Sequence, residues 1–543
     1  MDLLTDKGLD KTSCFNRMYP GEEEPLLGHR TDGECTSVSR RNVFITLPAL
    51  FLALFLAAID ATVVAPALPT IADYFQSQVA YIWVGSGYLL THAACGPLWG
   101  KFSDIWGRKV VILVAVCVFF VGSLLCGTAT NVEMLIAGRV TQGSAAGGLI
   151  VLVNICISDL FDLKERGFYL ALTGIVWALA SGTGPLIGGA IADNLSWRWI
   201  WFINLPLCGL TFFVLLFFLD VDDVEVPLLE GLKAVDWVGS ITILVSTVML
   251  LASLELGGVT FPWSSPELIG LIVVGLVLLG MFFLNESKFA KQPVVPMSLF
   301  QKQSTAALLL VVLLHGLTYT ASQYYLPLYF QAVGGASALG SGLLVLPTAL
   351  TQTFTAIFSG LLVRVIGSYM EFIWCGMAIM TIGYGLFIDL SEDFSMLKIV
   401  PFEIIAGIGI GMGLQTTLVA LQSNIDPRRD SMAATTATFS FVRNLGCCIS
   451  VALGGIIFQN GMKNQKDDLV MALGPELANK FSAESATPNA ILVATLPWAE
   501  RMVVKAAYVV SLKEMWVFYT CCAGIAFLAS LLVRKPQITY VRM

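Results

Sequence analysis

Apolar residues fall along this chain in about fourteen runs, at 43–66, 80–99, 110–129, 133–157, 168–192, 199–219, 237–255, 268–285, 305–328, 338–359, 371–389, 398–422, 435–458 and 515–533, with polar residues collected between them. Runs of about 20 residues are the length at which a helix rising about 1.5 Å per residue crosses a hydrocarbon core about 30 Å thick. The period-two alternation of a strand-built barrel is absent. Backbone groups in lipid must be paired within the segment, so the runs predict membrane-spanning helices and an all-α polytopic membrane protein.

Composition agrees with this reading: 56% of the 543 residues are hydrophobic, 13% are charged, and mean hydropathy is +0.79. A soluble chain of this size is excluded. Residues 1–42, with Gly21-Glu22-Glu23-Glu24-Pro25 and scattered Ser, Thr and Asp, hold too little apolar surface for a core and read as a disordered tail. No cleavable signal is read ahead of the first run, which is expected to act as its own insertion signal. Six Lys and Arg lie in that tail and fifteen in the even-numbered hinges and the C-terminus, against Arg198 and Lys398 in the short loops opposite. That bias places both termini, including a tail at 536–543, in the cytoplasm. The net charge of −7 gives no sign of a nucleic-acid partner, its acidic excess lying in the tail and between Asp220 and Asp236.

A weak repeat divides the apolar part. Gly100 and Gly107 recur 260 positions later as Gly360 and Gly367, while Asp162 to Arg166 matches Asp426 to Asp430, and Gly182 matches Gly446, at an offset of 264. Such an offset spans eight helices, so a six-helix unit recurs after two intervening ones. The expected organisation is a first bundle at 43–220, two extra helices with linkers at 221–304, and a second bundle at 305–535 containing a long non-cytoplasmic loop at 459–514.

Ionisable residues inside apolar runs cost at least about 2.5–3.5 kcal/mol each and need a reason. Asp60, in AAIDATVVAPALPTI, is suited to carrying a proton, and Arg139, with Gln142 one turn along the same face, is its matching cation. Either residue has a purely structural alternative, as a capped or paired group. Gly96/Gly100, Gly143/Gly147 and Gly184/Gly188 have the small-xxx-small spacing of close helix contacts, and Pro185 within GTGPLIGG should bend its helix. In the second half Gln323, Tyr324, Tyr325, His315, Gln415, Thr416 and Thr417 are candidates, with Gln142, for a moderately polar substrate cavity. Arg443 beside Asn444 reads as a gating or a structural pair. Twelve cysteines without CxxC spacing and three histidines offer neither a disulfide framework nor a metal site. Gly100-Lys101-Phe102 with Cys95 upstream is not a Walker loop, so no nucleotide is implied.

The stretch GKFSDIWGRK, Gly100 to Lys109, resembles the hinge motif between helices 2 and 3 of the major facilitator superfamily. Ile59-Asp60-Ala61-Thr62-Val63-Val64, Arg139-Val140-Thr141-Gln142-Gly143 and Gly182-Thr183-Gly184-Pro185 to Gly188-Gly189 resemble further motifs of its fourteen-helix drug:proton antiporter branch, and WRWIWFINLP at 197–206 looks like the start of helix 6 in fungal toxin and multidrug exporters. The resemblance covers about residues 43–535. It implies a cytoplasmic gate made by Gly100, Asp104, Gly107, Arg108 and Lys109, proton coupling at Asp60 and Arg139, and an antiporter motif at Gly182, Gly184, Pro185, Gly188 and Gly189. At the second-half hinge Arg364 replaces Asp104 and Ser368-Tyr369 replace Arg108-Lys109, so the latch is expected to be one-sided; Cys448-Ile449 replace Gly184-Pro185.

The expected function is proton-coupled efflux of a drug, toxin or fungal secondary metabolite, by a monomer in the cell membrane, without enzymatic activity and with the proton gradient in place of a cofactor. Its partners are the lipid bilayer, protons and a small organic substrate. A vacuolar amino-acid/proton antiporter is the alternative, favoured by an acidic dileucine pattern at Glu22, Leu26 and Leu27 that a sorting adaptor would read; a non-transporting membrane sensor is a third. Asn194-Leu195-Ser196 is a glycosylation sequon. Ile491 to Leu512 reads as an interfacial amphipathic helix, a lid or an irregular connection.

Overall fold

The computed structural model describes residues 40–533, apart from 65–66, 68–70, 72–73, 76–77, 220–226, 258–260, 291–292, 426–430, 483–484 and 488. The sorting pattern at Glu22, Leu26 and Leu27 lies outside the described residues.

Each of the fourteen apolar runs is met by a helix or a pair of short helices. In the first half these are α1 (Arg40–Val63), α2 (Gln78–Trp106), α3 (Arg108–Gly127), α4 (Val132–Leu160), α5 (Leu163–Asn194), and a sixth run split into α6 (Trp199–Phe202) and α7 (Asn204–Phe218). A short α8 (Leu228–Ala234) leads to the hairpin α9 (Trp237–Leu256) and α10 (Pro266–Lys288). After α11 (Ser298–Gln301) the second half comprises α12 (Gln303–Ala332), α13 (Ala338–Leu344), α14 (Leu346–Ile366), α15 (Met370–Phe387), α16 (Met396–Ser423) and α17 (Met432–Asn464). Short helices α18 (Lys466–Leu473) and α19 (Pro475–Lys480) and a 3-10 segment at Ala490–Thr495 then precede α20 (Trp498–Ser530). Thirteen of the described helices are long and apolar enough to cross a membrane, and the 29-residue α2 fills the place of the second run.

Polar residues at the run boundaries start the helices. Asn131, Asp236 and Ser431 each accept a hydrogen bond from a backbone N–H in the first turn of α4, α9 and α17. Between α2 and α3 the chain turns on Gly107 alone (φ 84°), and between α14 and α15 its repeat partner Gly367 has φ 75°. Both hinges carry glycine there because a side chain disfavours the left-handed region. The stretch Gly100 to Lys109 is therefore mostly helix, with α2 continuing past its apolar run to Trp106.

Helices α1 to α5 and α7 pack together as a first bundle, and α12, α14, α15, α16, α17 and α20 as a second. Two seams join them, α2 against α17 and α5 against α14. The α9–α10 hairpin closes on itself, Ser246 Oγ donating to the Gly275 carbonyl at 2.8 Å, and α9 leans on α2 and α17. The loop expected at 459–514 is shorter than its apolar pattern suggested. α17 runs on to Asn464, and most of Ile491 to Leu512 is the first part of the 33-residue α20, which buries Val504, Ala507, Tyr508, Ser511 and Leu512. From Trp498 onward it is packed helix, continuous with the apolar run that follows.

Candidate functional site

Asp60 sits in the last turn of α1, fully buried, and three side chains from two other helices reach it. Arg139 and Gln142, three residues apart on one face of α4, arrive from one side; Asn204, placed by the break at Ile203 between α6 and α7, arrives from another. Arg139 Nη1 donates to Asp60 Oδ2 at 2.5 Å, while Asp60 Oδ1 accepts from Gln142 Nε2 at 3.2 Å and Asn204 Nδ2 at 2.8 Å. Arg139 also donates through Nε to the Val84 carbonyl (2.8 Å) and through Nη1 to Gln142 Oε1 (3.0 Å), and its guanidinium lies 4.3 Å from the centre of the Tyr88 ring. Gln142 Nε2 further donates to Ser123 Oγ at 2.8 Å. The site is thus a buried ion pair braced by neutral groups on both partners, the condition under which buried charge is tolerated.

Asp60, Arg139 and Gln142 were legible as polar residues in apolar runs. Asn204 and Ser123 were not singled out, although the same signal marks Asn204 in WFINLP.

At one end of the molecule the two bundles touch along both seams. Gly100 on α2 faces Ala437 on α17 so closely that a Cβ there would lie 2.5 Å from that of Ala437, and a Cβ on Gly360 of α14 would lie 2.8 Å from the Gly167 carbonyl on α5. Around these contacts Asp104 Oδ1 holds Arg108 Nη1 at 2.8 Å, Arg108 Nε donates to Asp159 at 2.9 Å, and Ser431 Oγ donates to Asp104 Oδ2 at 2.6 Å across the seam. Buried Arg166 donates to Gln422 Oε1 at 2.9 Å, and Gln422 Nε2 donates to Ser158 Oγ at 2.9 Å, both between bundles. Lys109 follows, half-buried at the start of α3. The expectation of a one-sided latch is corrected here. Arg364 of the second hinge reaches across to Glu165 at 2.5 Å, so that hinge keeps a crossing contact with the charge inverted.

The glycines of GTGPLIGG are unequal. Gly184 and Gly188 press against Thr62 and the Val63 carbonyl of α1, whereas Gly182 and Gly189 have open space where a Cβ would stand. Thr62 Oγ1 donates to the Ala180 carbonyl at 3.1 Å, fastening the same pair of helices. The side chain of Pro185 lies outside the described residues.

The residues expected to line one cavity are divided by the structure. Gln142 belongs to the Asp60 cluster. His315 is buried with Nε2 3.1 Å from the Ile410 carbonyl, held between α12 and α16. Tyr325 donates to the Val451 carbonyl at 2.7 Å, Gln415 Nε2 reaches Thr173 across the α5 side at 3.5 Å, Gln323 is half-buried and Tyr324 is exposed. Arg443 lies 5.7 Å from the Tyr319 ring centre. Asn194 is exposed at the end of α5, its amide donating to the Ala190 carbonyl at 3.0 Å. Among the described residues no cluster of metal-binding side chains occurs, and ten cysteines are free.

Comparison with known proteins agrees with this architecture. The sequence model of the Major Facilitator Superfamily matches residues 50–451. The chain is 43% identical over 497 residues to the efflux pump dotC of Dothistroma septosporum, covering 92% of this chain and 84% of that one. It is 33% identical over 496 residues to the acurin A biosynthesis cluster MFS-type transporter of Aspergillus aculeatus, covering 90% and 89%. Among solved structures, the human organic anion transporter MFSD10 superposes with a TM-score of 0.53 over 90% of this chain and 99% of that one, at 16% identity, a likeness of fold. On the match of the family model and of these relatives, the chain belongs to the major facilitator superfamily, as a multi-pass membrane protein.

Proposed function

We propose that this protein is a proton-coupled exporter of an amphipathic organic compound, of the drug, toxin or fungal secondary-metabolite kind, working by alternating access within the fourteen-helix antiporter branch. The observation that carries the reading is the buried Asp60–Arg139 pair with its two amide partners. A proton on Asp60 removes the charge that Arg139 neutralises and leaves the guanidinium with Val84 and Gln142 alone, so one protonation event changes what ties α1, α4 and α7 together. The proton gradient is the energy source, worth about 2.3 kcal/mol per charge per 100 mV and about 1.4 kcal/mol per pH unit. No cofactor enters the cycle.

Read with the Lys and Arg distribution, the end at which the bundles touch is the cytoplasmic one, so this arm of the cycle is closed to the cytoplasm. The names of dotC as an efflux pump and of the acurin A cluster transporter support export and a metabolite as cargo. The site of action is the cell membrane, with a monomer as the working unit. The test is pH-gradient-driven flux of rhodamine 6G into proteoliposomes, with Asp60→Asn alongside wild type. Flux that depends on the gradient and disappears in the variant supports the reading; gradient-dependent flux that survives unchanged removes Asp60 from the coupling.

A further inference from the structure

Glu403 lies eight residues into α16, fully buried, and neither of its carboxylate oxygens has a hydrogen-bond partner among the described residues. It stands 264 positions after Arg139. That offset also separates the starts of the two helices, Val132 of α4 and Met396 of α16, and Ser158 and Gln422, again 264 apart, meet between the bundles. The second bundle therefore carries an acid where the first carries its buried cation, and among the described residues no counter-ion pairs with it.

The surroundings are specific. Glu403 shares a face of α16 with Gly407 and Gly411, which sit against Thr348, Thr351, Gln352 and Thr355 of α14. Continuing that parallel register one turn back sets Glu403 beside Leu344 to Thr348, where Val345 separates α13 from α14 and Pro347 supplies no N–H. Thr348 Oγ1 is buried there as well, without a partner among the described residues. The charged and titratable groups of the neighbouring helices are engaged elsewhere. His315 meets Ile410, Tyr384 donates to the Thr318 carbonyl, Arg443 and Tyr319 lie together, and Arg364 pairs with Glu165.

An ionised carboxylate buried without a donor or counter-ion is among the costliest groups a membrane protein can hold. We propose that Glu403 is a second proton site, in the second bundle, loaded in this closed-end conformation and discharged when the break at Val345 lets α13 and α14 move and water reach it. The step is a bare transfer: the carboxyl O–H bond breaks, the proton passes to water, and the carboxylate remains in the newly wetted space. The inference rests on the coupled-export reading for the proton's use, but the loading itself is measurable without transport.

Infrared difference spectra of the full chain in lipid at neutral pH should contain a protonated-carboxyl C=O band that is lost in Glu403→Gln and retained in Asp60→Asn. In parallel, thiol labelling of Ser158→Cys, read by mass spectrometry, should rise with pH as the closed end opens, and stay flat when Glu403→Gln is added, because the amide mimics the loaded acid. A carboxyl band unaltered by Glu403→Gln, or an unaltered pH response of labelling, overturns the proposal. Should Glu403→Gln fail to fold, Glu403→Asp must keep the band, and its loss there overturns the proposal too. Protein that passes both tests while moving no protons with cargo would sink coupled export and leave the site standing.

Discussion

At the scale of the residue, the first bundle holds its charge by pairing. Asp60 is satisfied by one guanidinium and two amides, so each partner's removal has a different cost. Arg139→Leu strands a buried carboxylate and should lower unfolding stability by about 3–5 kcal/mol, whereas Asn204→Leu removes one hydrogen bond and should cost about 1–3 kcal/mol. Asp60→Leu combined with Arg139→Leu should be more stable than Arg139→Leu alone, since no charge is left unpaired; thermal unfolding in detergent measures all three variants, and a double variant weaker than Arg139→Leu would contradict the pairing account. These partners were unequally visible in the sequence. An acid or a base in an apolar run is conspicuous, which is how Asp60 and Arg139 stood out; a lone Asn opening a helix looks like a cap. Glu403 carries the same signal as Asp60 but has no cation at motif spacing to mark it, being the one acid inside a long glycine-rich run.

At the scale of the element, the apolar runs located the helices well and their ends poorly. Hydropathy marks where lipid lies, but a helix continues until its backbone finds a reason to stop, so α2 reaches Trp106 and α20 starts at Trp498, well outside their runs. Glycine spacing was likewise only half informative. GTGPLIGG reads as one motif, yet the periodicity of α5 turns only Gly184 and Gly188 onto α1. Gly188→Ala would drive a methyl group into the Val63 carbonyl, which cannot yield as a flexible side chain does, and should cost about 1–3 kcal/mol together with most of the transport. Gly182→Ala and Gly189→Ala should leave stability near wild type. Equal losses at all four positions, read from thermal unfolding and dye flux, would mean that helix contact is not what the motif supplies.

At the scale of the whole molecule, the internal repeat explains why both seams look alike. Gly100 and Gly360 are repeat partners, and each lets its helix lie against the opposite bundle. The charges around them do not follow the symmetry, Asp104 binding Ser431 on one seam while Arg364 binds Glu165 on the other. The exposed Arg364–Glu165 pair is worth at most about 1 kcal/mol and weakens with salt, whereas the Arg166–Gln422–Ser158 chain is buried and insensitive to it. Closure is therefore set by the buried chain, and the surface pair is the convenient handle on it. With Glu165→Cys and Arg364→Cys joined by a short cleavable bis-maleimide, the bundles cannot part at this end, so dye flux in proteoliposomes should fall to background and return once the linker is cut. Either cysteine alone, treated with the same reagent, should keep its flux, because one modified side chain ties nothing together. Full flux from the bridged protein would show that the two seams need not open during transport, and the contacts at Gly100 and Gly360 would then be fixed parts of the fold.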